Sequence, residues 1–298
     1  MPYELEGRLV VGLASSALFD LSESDAVFRE KGEHEYREYQ ERLLDTPLEP
    51  GVAFPFVKRL LSFNALADSP VEDPLVEVIL LSRNDPDTGL RVMRSIQHHG
   101  LQITRAVFMQ GRSPYRFIPA FGISLFLSAN QGDVKEAIKQ GFPAGQVLPH
   151  PTRSFEEEEG LRIALDFDGV VIDDAPESIY RAVGPSGFHE HEALNIAKPH
   201  DAGPLAMFLR SLRTIQDAEE RRKASDKSYT NRLHVAIVTA RNAPSHERAV
   251  NTLKSWGVRV NDAFFLGGVE KKRVLEVLRP HIFFDDQQGH LEGASEVV

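Results

Sequence analysis

The sequence predicts an α/β protein made of two doubly wound parallel sheets arranged in tandem. Short apolar runs such as IALDFDGVV at 163–171 and HVAIVT at 234–239 are typical of parallel strands that are buried on both faces. Amphipathic stretches such as SHERAVNTLKSWG at 245–257 lie between the runs and predict helices. The third observation is that the same pattern of runs and helices occurs in both halves of the chain.

The two halves align with each other over most of their length. Residues 78–137 lie over residues 235–294 at a constant offset of 157, and near the start of each half the offset is 152. Glycines coincide in this alignment in four pairs: Gly51 with Gly203, Gly100 with Gly257, Gly111 with Gly268, and Gly132 with Gly289. Buried strands resemble one another in any α/β protein, but coinciding glycines and turns are not expected by chance. We therefore expect a tandem duplication.

The predicted domains are residues 1–150 and residues 151–298. Their boundary falls at 150–160, where proline, serine and an acidic run interrupt the hydrophobic pattern. The long segment at about 172–233 separates the first and second strands of the C-terminal half and is rich in helical pattern. We expect it to form a helical cap over the ends of the strands.

Composition excludes several classes of function. The chain of 298 residues contains no cysteine, so a metal would be held by oxygen or histidine ligands, which favours Mg²⁺. The net charge of −10 argues against a nucleic-acid partner. No apolar run is long enough to span a bilayer and no signal peptide is apparent, so the expected location is the cytoplasm, as a monomer or a homo-oligomer.

Carboxylates follow two predicted strands of the C-terminal half. Asp166 and Asp168 come directly after the first strand, with Gly169 relaxing the turn, and Asp285 and Asp286 follow the last strand. In a doubly wound sheet, ligands bind beyond the carboxyl ends of the strands. Adjacent carboxylates at such a position repel one another unless they are paired, hydrated or bound to a cation, so they predict a divalent-metal site.

Two further positions suit a phosphate group. Thr239 and Ala240 end the second strand and offer a hydroxyl and backbone N–H groups at the turn into a helix. Lys271 opens a later helix, where a lysine alone would ordinarily be a solvated surface residue. Each feature is weak by itself, and their order along the chain is more informative.

Taken in order, DFDGVV, VTAR, Lys271 and IFFDD resemble the four motifs of the haloacid dehalogenase superfamily. Further segments, including VGLASSALF, FHEHEALNIAKPHDAGPL and RPHIFFDDQQGHLEGA, are similar to the cytosolic 5′-nucleotidase I family over nearly the whole chain. The resemblance implies a haloacid dehalogenase-like Rossmannoid fold with a helical cap. It also implies Mg²⁺-dependent hydrolysis of nucleoside 5′-monophosphates, AMP-like ones preferred, in the cytoplasm.

The resemblance implies a role for each motif residue. Asp166 would be the nucleophile that forms an aspartyl-phosphate, and Asp168 would be the general acid and base. Thr239, Ala240 and Lys271 would contact the phosphate. Mg²⁺ would be held by Asp166, the Asp168 carbonyl group and Asp285, with Asp286 as a further ligand or a neighbour of the ligands.

Recognition of the nucleotide base is expected from the cap segment. Phe188 could stack on a base, and His191 and Lys198 lie in the same segment. The alternative for Phe188 is a place in the core, and histidines at such positions are more often hydrogen-bonded structure than ligands.

The N-terminal half lacks the motif residues. The positions that align with the catalytic side chains and their neighbour are Ala14, Ser16, Ser82, Pro114, Ser128 and Ala129. We therefore expect this half to be a degenerate, non-catalytic copy. Two alternatives to nucleotide hydrolysis stay open, namely a phosphatase of another small phosphomonoester and a nucleotide-sensing protein with little turnover.

Overall fold

The computed structural model describes residues 3–148 and 160–298, which form two compact units, 1–149 and 150–298. The predicted linker at 150–160 lies outside the described residues except for its last position. Within the part of the chain that the structure describes, no helix is long and apolar enough to cross a membrane.

The described residues of the N-terminal unit, 3–148, form five strands and five α-helices. The strands are β1 (Leu9–Leu13), β2 (Val76–Ser82), β3 (Arg105–Phe108), β4 (Leu125–Ser128) and β5 (Ala144–Gln146). The helices are α1 (Ser15–Leu18), α2 (Ser22–Arg42), α3 (Phe54–Ser62), α4 (Pro86–His98) and α5 (Gln131–Lys139).

The C-terminal unit contains four strands and six α-helices among its described residues. The strands are β6 (Leu161–Leu165), β7 (Leu233–Thr239), β8 (Asp262–Phe265) and β9 (Ile282–Phe284). The helices are α6 (Ala175–Leu194), α7 (Ala206–Ser211), α8 (Arg213–Ser225), α9 (His246–Ser255), α10 (Lys271–Leu278) and α11 (Gln288–Ala294). Helices α6, α7 and α8 form the segment that the sequence predicts to be a cap.

Each unit has one parallel sheet, which confirms the predicted α/β class. The strand orders are β3-β2-β1-β4-β5 and β8-β7-β6-β9, and every recorded strand pair is parallel. In the C-terminal sheet the direction of winding reverses between β6 and β9. Ligands of doubly wound folds bind beside such a reversal, so the candidate site is expected at the carboxyl ends of these two strands.

The two units also share details of their backbones. Strands β2 and β7 have seven residues each and begin 157 residues apart, while β1 and β6 begin 152 residues apart. Helices α2 and α6 are both broken at a glycine, Gly32 with φ 85° and ψ −175° and Gly184 with φ 70° and ψ −179°. These glycines are also 152 residues apart. Descent of both units from one duplicated ancestor stays a prediction.

The core of the C-terminal unit lies between its sheet and the helices that follow the strands. Ala164 and Val238 from the strands pack with Leu275 of α10 and with Phe283. These strands are apolar at nearly every position because both of their faces are covered.

A close backbone approach explains one of the glycines that the halves share. A Cβ added to Gly203 would lie 2.2 Å from the carbonyl oxygen of Ile172, whereas a Cβ added to Gly293 in α11 would meet no atom within 4 Å. We expect Gly203→Ala to lower the free energy of unfolding by about 1–3 kcal/mol through overcrowding. Gly293→Ala, the matched control, should be neutral or slightly stabilising.

The measurement is urea unfolding followed by the fluorescence of Trp256. This residue is the one tryptophan of the chain and lies in the C-terminal unit, so its emission reports on that unit. Equal stability of the two glycine variants would contradict the predicted backbone contact.

Candidate active site

The carboxylates of Asp166 and Asp285 lie at the ends of neighbouring strands. Asp166 follows β6, Asp285 follows β9, and the last residues of these strands, Leu165 and Phe284, are paired. The backbone N–H of Asp166 donates to the carbonyl oxygen of Phe284 at 2.8 Å. The pairing of two parallel strands therefore brings the two predicted acidic positions together.

Lys271 joins the two carboxylates. Its Nζ lies 2.7 Å from Oδ2 of Asp166 and 2.6 Å from Oδ2 of Asp285, and Lys271 is only 4% exposed. The lysine is the first residue of α10, so its buried position comes from the way this helix packs against the sheet. Two buried carboxylates therefore share one buried amino group.

Burial dominates the electrostatics of Asp166. Its removal from solvent raises the pKa of Asp166 to about 7, an effect that Lys271 opposes and Asp285 reinforces. The pKa of Asp286 is also raised, by burial and by the charge of Asp285. The backbone N–H of Phe167 donates to Oδ1 of Asp166 at 2.7 Å and fixes the orientation of the carboxylate. A cation placed here would relieve the repulsion between the acidic groups.

Three side chains meet the geometric requirement for a metal site. Ligand atoms of Asp166, Asp285 and His290 lie within 4.8 Å of one another. Nδ1 of His290 is 3.2 Å from both carboxylate oxygens of Asp285. The set of oxygen donors suits Mg²⁺, and the imidazole suits other divalent ions as well. The carboxylates of Asp168 and Asp286 are not part of this group.

His290 was not among the residues predicted from the sequence. It is the third residue of α11, which begins three residues after Asp285, and its ring points back to the carboxylate. Asp286 instead lies against Gly169, where an added Cβ would come within 2.5 Å of Oδ2 of Asp286. This contact gives Gly169 a steric reason besides the turn that the sequence predicted.

Asp168 is held by the side chain of Arg241. Nε of Arg241 donates to Oδ2 of Asp168 at 2.8 Å, and Nη2 donates to Oδ1 at 2.7 Å. The Asp168 side chain stays 26% exposed, whereas that of Arg241 is 2% exposed. A two-point contact of this kind fixes both the position and the plane of a carboxylate. Asp168 is thus oriented and still accessible from solvent.

Thr239 and Ala240 lie at the end of β7, beside this arginine. Thr239 is fully buried, and its hydroxyl oxygen accepts a hydrogen bond from the backbone N–H of Arg241 at 3.3 Å. Ala240 is exposed. Their predicted contact with phosphate stays a prediction.

A buried group of charged residues surrounds Glu192. Its carboxylate accepts from Nη1 of Arg241 and, at 2.7 Å, from Nη1 of Arg248, and Nε2 of His200 lies 3.0 Å away. Glu192 itself is 1% exposed. Burial alone would raise the pKa of Glu192, but His200 and Arg241 outweigh it and lower that pKa to about 2. Burial lowers the pKa of His200, which favours the neutral imidazole. The charge of Glu192 is therefore compensated by the two arginines.

The predicted cap residues lie beside this group. Phe188 is 7% exposed, with its ring centroid 5.4 Å from Cζ of Arg241. His191 is half-buried, and Lys198 is exposed while its carbonyl oxygen accepts from Nε of Arg248 at 2.9 Å. The environment of Phe188 is that of a core residue, the alternative considered from the sequence. A role of these three residues in base recognition stays a prediction.

The corresponding strand ends of the N-terminal unit carry hydroxyl groups instead. Ser15 and Ser82 lie 3.2 Å apart through their hydroxyl oxygens, and Ser128 donates to Asp133 at 3.0 Å. Ser82 and Ser128 also accept from nearby backbone N–H groups. These hydroxyls are engaged with their neighbours, and none of the aligned positions supplies a carboxylate.

Comparison with known proteins gives one family over the whole chain. The sequence model described as 5′-nucleotidase matches residues 1–298. Human cytosolic 5′-nucleotidase 1B is 32% identical over 299 aligned residues, which cover 99% of this chain and 48% of the relative. The chain therefore spans about half the length of the curated relative that it matches. No solved structure matches it.

Proposed function

Because the chain belongs to the 5′-nucleotidase family, we propose that it hydrolyses nucleoside 5′-monophosphates to nucleoside and phosphate, with AMP-like nucleotides preferred. The observation that carries the proposal is the buried lysine bridge between Asp166 and Asp285. It supports the proposal because a carboxylate lies beside a buried positive charge at the end of the sheet, an arrangement that suits attack on a phosphate group. The name of the human relative supports a cytoplasmic location.

Asp166 is the proposed nucleophile. One of its carboxylate oxygens attacks the phosphorus atom in line with the departing ribose 5′-oxygen, and an aspartyl-phosphate forms. Lys271 offsets the negative charge of the phosphoryl oxygens, while Thr239 and the backbone of Ala240 would hold them at the end of β7.

Asp168 is the proposed general acid and base. It gives its proton to the ribose 5′-oxygen as the P–O bond breaks, which leaves a carboxylate. That carboxylate then accepts a proton from the water that attacks the aspartyl-phosphate, and Asp166 is regenerated as phosphate leaves. The arginine contact orients the carboxylate form of this group, which is the form that accepts the proton in the second step.

Asp166 and Asp285 fit a Mg²⁺ ion, with the Asp168 carbonyl group as a further proposed ligand and His290 or Asp286 beside it. When bound, the ion supplies positive charge that offsets the charge of the phosphoryl group. The N-terminal unit is proposed to be non-catalytic, because its aligned positions offer neither carboxylates nor a lysine.

The first test is phosphate release from a panel of AMP, dAMP, IMP, GMP, CMP, UMP and several sugar phosphates. We expect Mg²⁺-dependent release from the nucleotides, fastest with AMP-like ones, and loss of release in EDTA that excess Mg²⁺ restores. Release only from sugar phosphates would overturn the substrate class. Binding of nucleotides without any release would favour the sensing alternative.

A further inference from the structure

The guanidinium group of Arg241 is engaged on both sides. Nε and Nη2 hold Asp168, while Nη1 donates to Glu192 and, at 3.3 Å, to the carbonyl oxygen of Ser245. Its Cζ atom also lies 5.2 Å from the ring centroid of Phe167. The plane of the guanidinium is therefore fixed by contacts that do not involve Asp168.

Glu192 provides the anchor on the far side of the arginine. It lies in the part of α6 that follows the break at Gly184, and it is also bound by Arg248 of α9 and by His200. Loss of Glu192 would remove one of the two carboxylates that bind Arg241 and the carboxylate that binds Arg248. A chain of contacts thus connects helix α6 to Arg241, and Arg241 to Asp168. Of the two carboxylates that bind Arg241, that of Glu192 is buried and that of Asp168 is partly exposed.

Stability alone is a poor explanation for this arrangement. Buried ion pairs lose hydration on folding, and apolar side chains of similar volume often stabilise a protein as well or better. A positioning role fits the geometry better, because the charged groups lead to the one carboxylate that must point at a substrate oxygen. Partners that orient the ligands of metal sites typically contribute about 10- to 100-fold to activity, and we expect an effect of the same order from a partner that orients a catalytic carboxylate.

We propose that Arg241 and Glu192 are positioning residues for the reaction: Glu192 of the cap helix holds Arg241, and Arg241 holds the Asp168 carboxylate in its working orientation. Neither residue touches the reacting atoms. The inference rests on the proposed function, because it assigns Asp168 the acid and base steps. It adds a defined route by which the cap segment determines the geometry of the catalytic group.

The test compares kcat and KM of the full chain with those of Arg241→Lys, Glu192→Gln and the double variant. Lysine keeps the charge but cannot make the two-point contact, so kcat should fall about 10- to 100-fold while KM changes less than about threefold. Glu192→Gln should lower kcat in the same way, by about tenfold. Arg222→Lys, the same substitution in an exposed ion pair with Asp226, is the control and should leave both constants unchanged.

The double variant distinguishes positioning from a structural role. If Glu192 acts through Arg241, the double variant should be no slower than Arg241→Lys alone. Melting curves recorded from the fluorescence of Trp256 identify variants that do not fold. If Arg241→Lys does not fold, the kcat of Glu192→Gln is the deciding measurement. An unchanged kcat in both folded variants, a loss confined to KM, or independent losses that multiply would overturn the inference. Absence of phosphate release from the parent chain would instead overturn the proposed function.

Discussion

Asp166→Asn should abolish phosphate release, with a loss of at least about 10³-fold in kcat. The amide keeps the size of the side chain but is not a nucleophile. The fold should survive, because Lys271 keeps its contact with Asp285 and the N–H of Phe167 can still donate to the amide oxygen. Phosphate release from AMP with Mg²⁺ measures the loss, and melting temperature checks the fold.

The matched control is Asp217→Asn, which makes the same change in an exposed carboxylate that pairs with Arg213 and Arg259. It should keep full activity. Equal phosphate release from Asp166→Asn and the control would show that Asp166 is not the nucleophile. A parent chain that binds AMP but releases no phosphate would show that the chain senses nucleotides.

Lys271→Met should lower both activity and stability. Methionine has nearly the same length, but it leaves the carboxylates of Asp166 and Asp285 buried without their cation. Removal of one partner from a buried ion pair typically destabilises a protein by about 3–5 kcal/mol. Loss of the charge at the phosphoryl group should lower kcat by about 10²-fold or more. Added Mg²⁺ should recover part of the stability, because the ion would take over compensation of the two carboxylates.

The adjacent Lys272→Met provides a close comparison. Lys272 is paired with Glu296 at the surface, where solvent screens the pair, so its loss should leave stability nearly unchanged. Urea unfolding, recorded from the fluorescence of Trp256 with and without Mg²⁺, compares the free energies of unfolding of the two variants. Equal stability of the variants, or a Lys271→Met variant indifferent to Mg²⁺, would contradict the assigned role of the bridge.

The fold and the central part of the site could be predicted because they depend on local patterns. Strands β6 and β7 are apolar at most positions, and this pattern is typical of strands covered on both faces. Asp166 and Asp285 follow such strands directly. The parallel pairing of β6 with β9 then brings them together, so the strand ends alone were sufficient.

The partners of these groups could not be predicted in the same way. Glu192 and Arg248 are ordinary charged residues of helical sequence, and nothing in their spacing distinguishes them from residues on a solvated helix face. Their burial results from the packing of α6 against α9, which brings Nη1 of Arg248 to 2.7 Å from Oε1 of Glu192, 56 residues earlier in the chain. Arg241 is the last residue of the VTAR motif, but nothing in the sequence indicates that its side chain binds Asp168 and Glu192.

The glycine breaks in α2 and α6 bear on how such chains change during evolution. Gly32 and Gly184 hold a backbone conformation that is essentially closed to other residues, while the residues beside them differ completely, Lys31 and Glu33 in one unit and Val183 and Pro185 in the other. Under the predicted duplication, substitution has erased the chemical similarity around this position but not the glycine itself. Old internal repeats in proteins of this kind should be more readily detected by aligning their conformationally restricted glycines than by aligning their charged or catalytic residues.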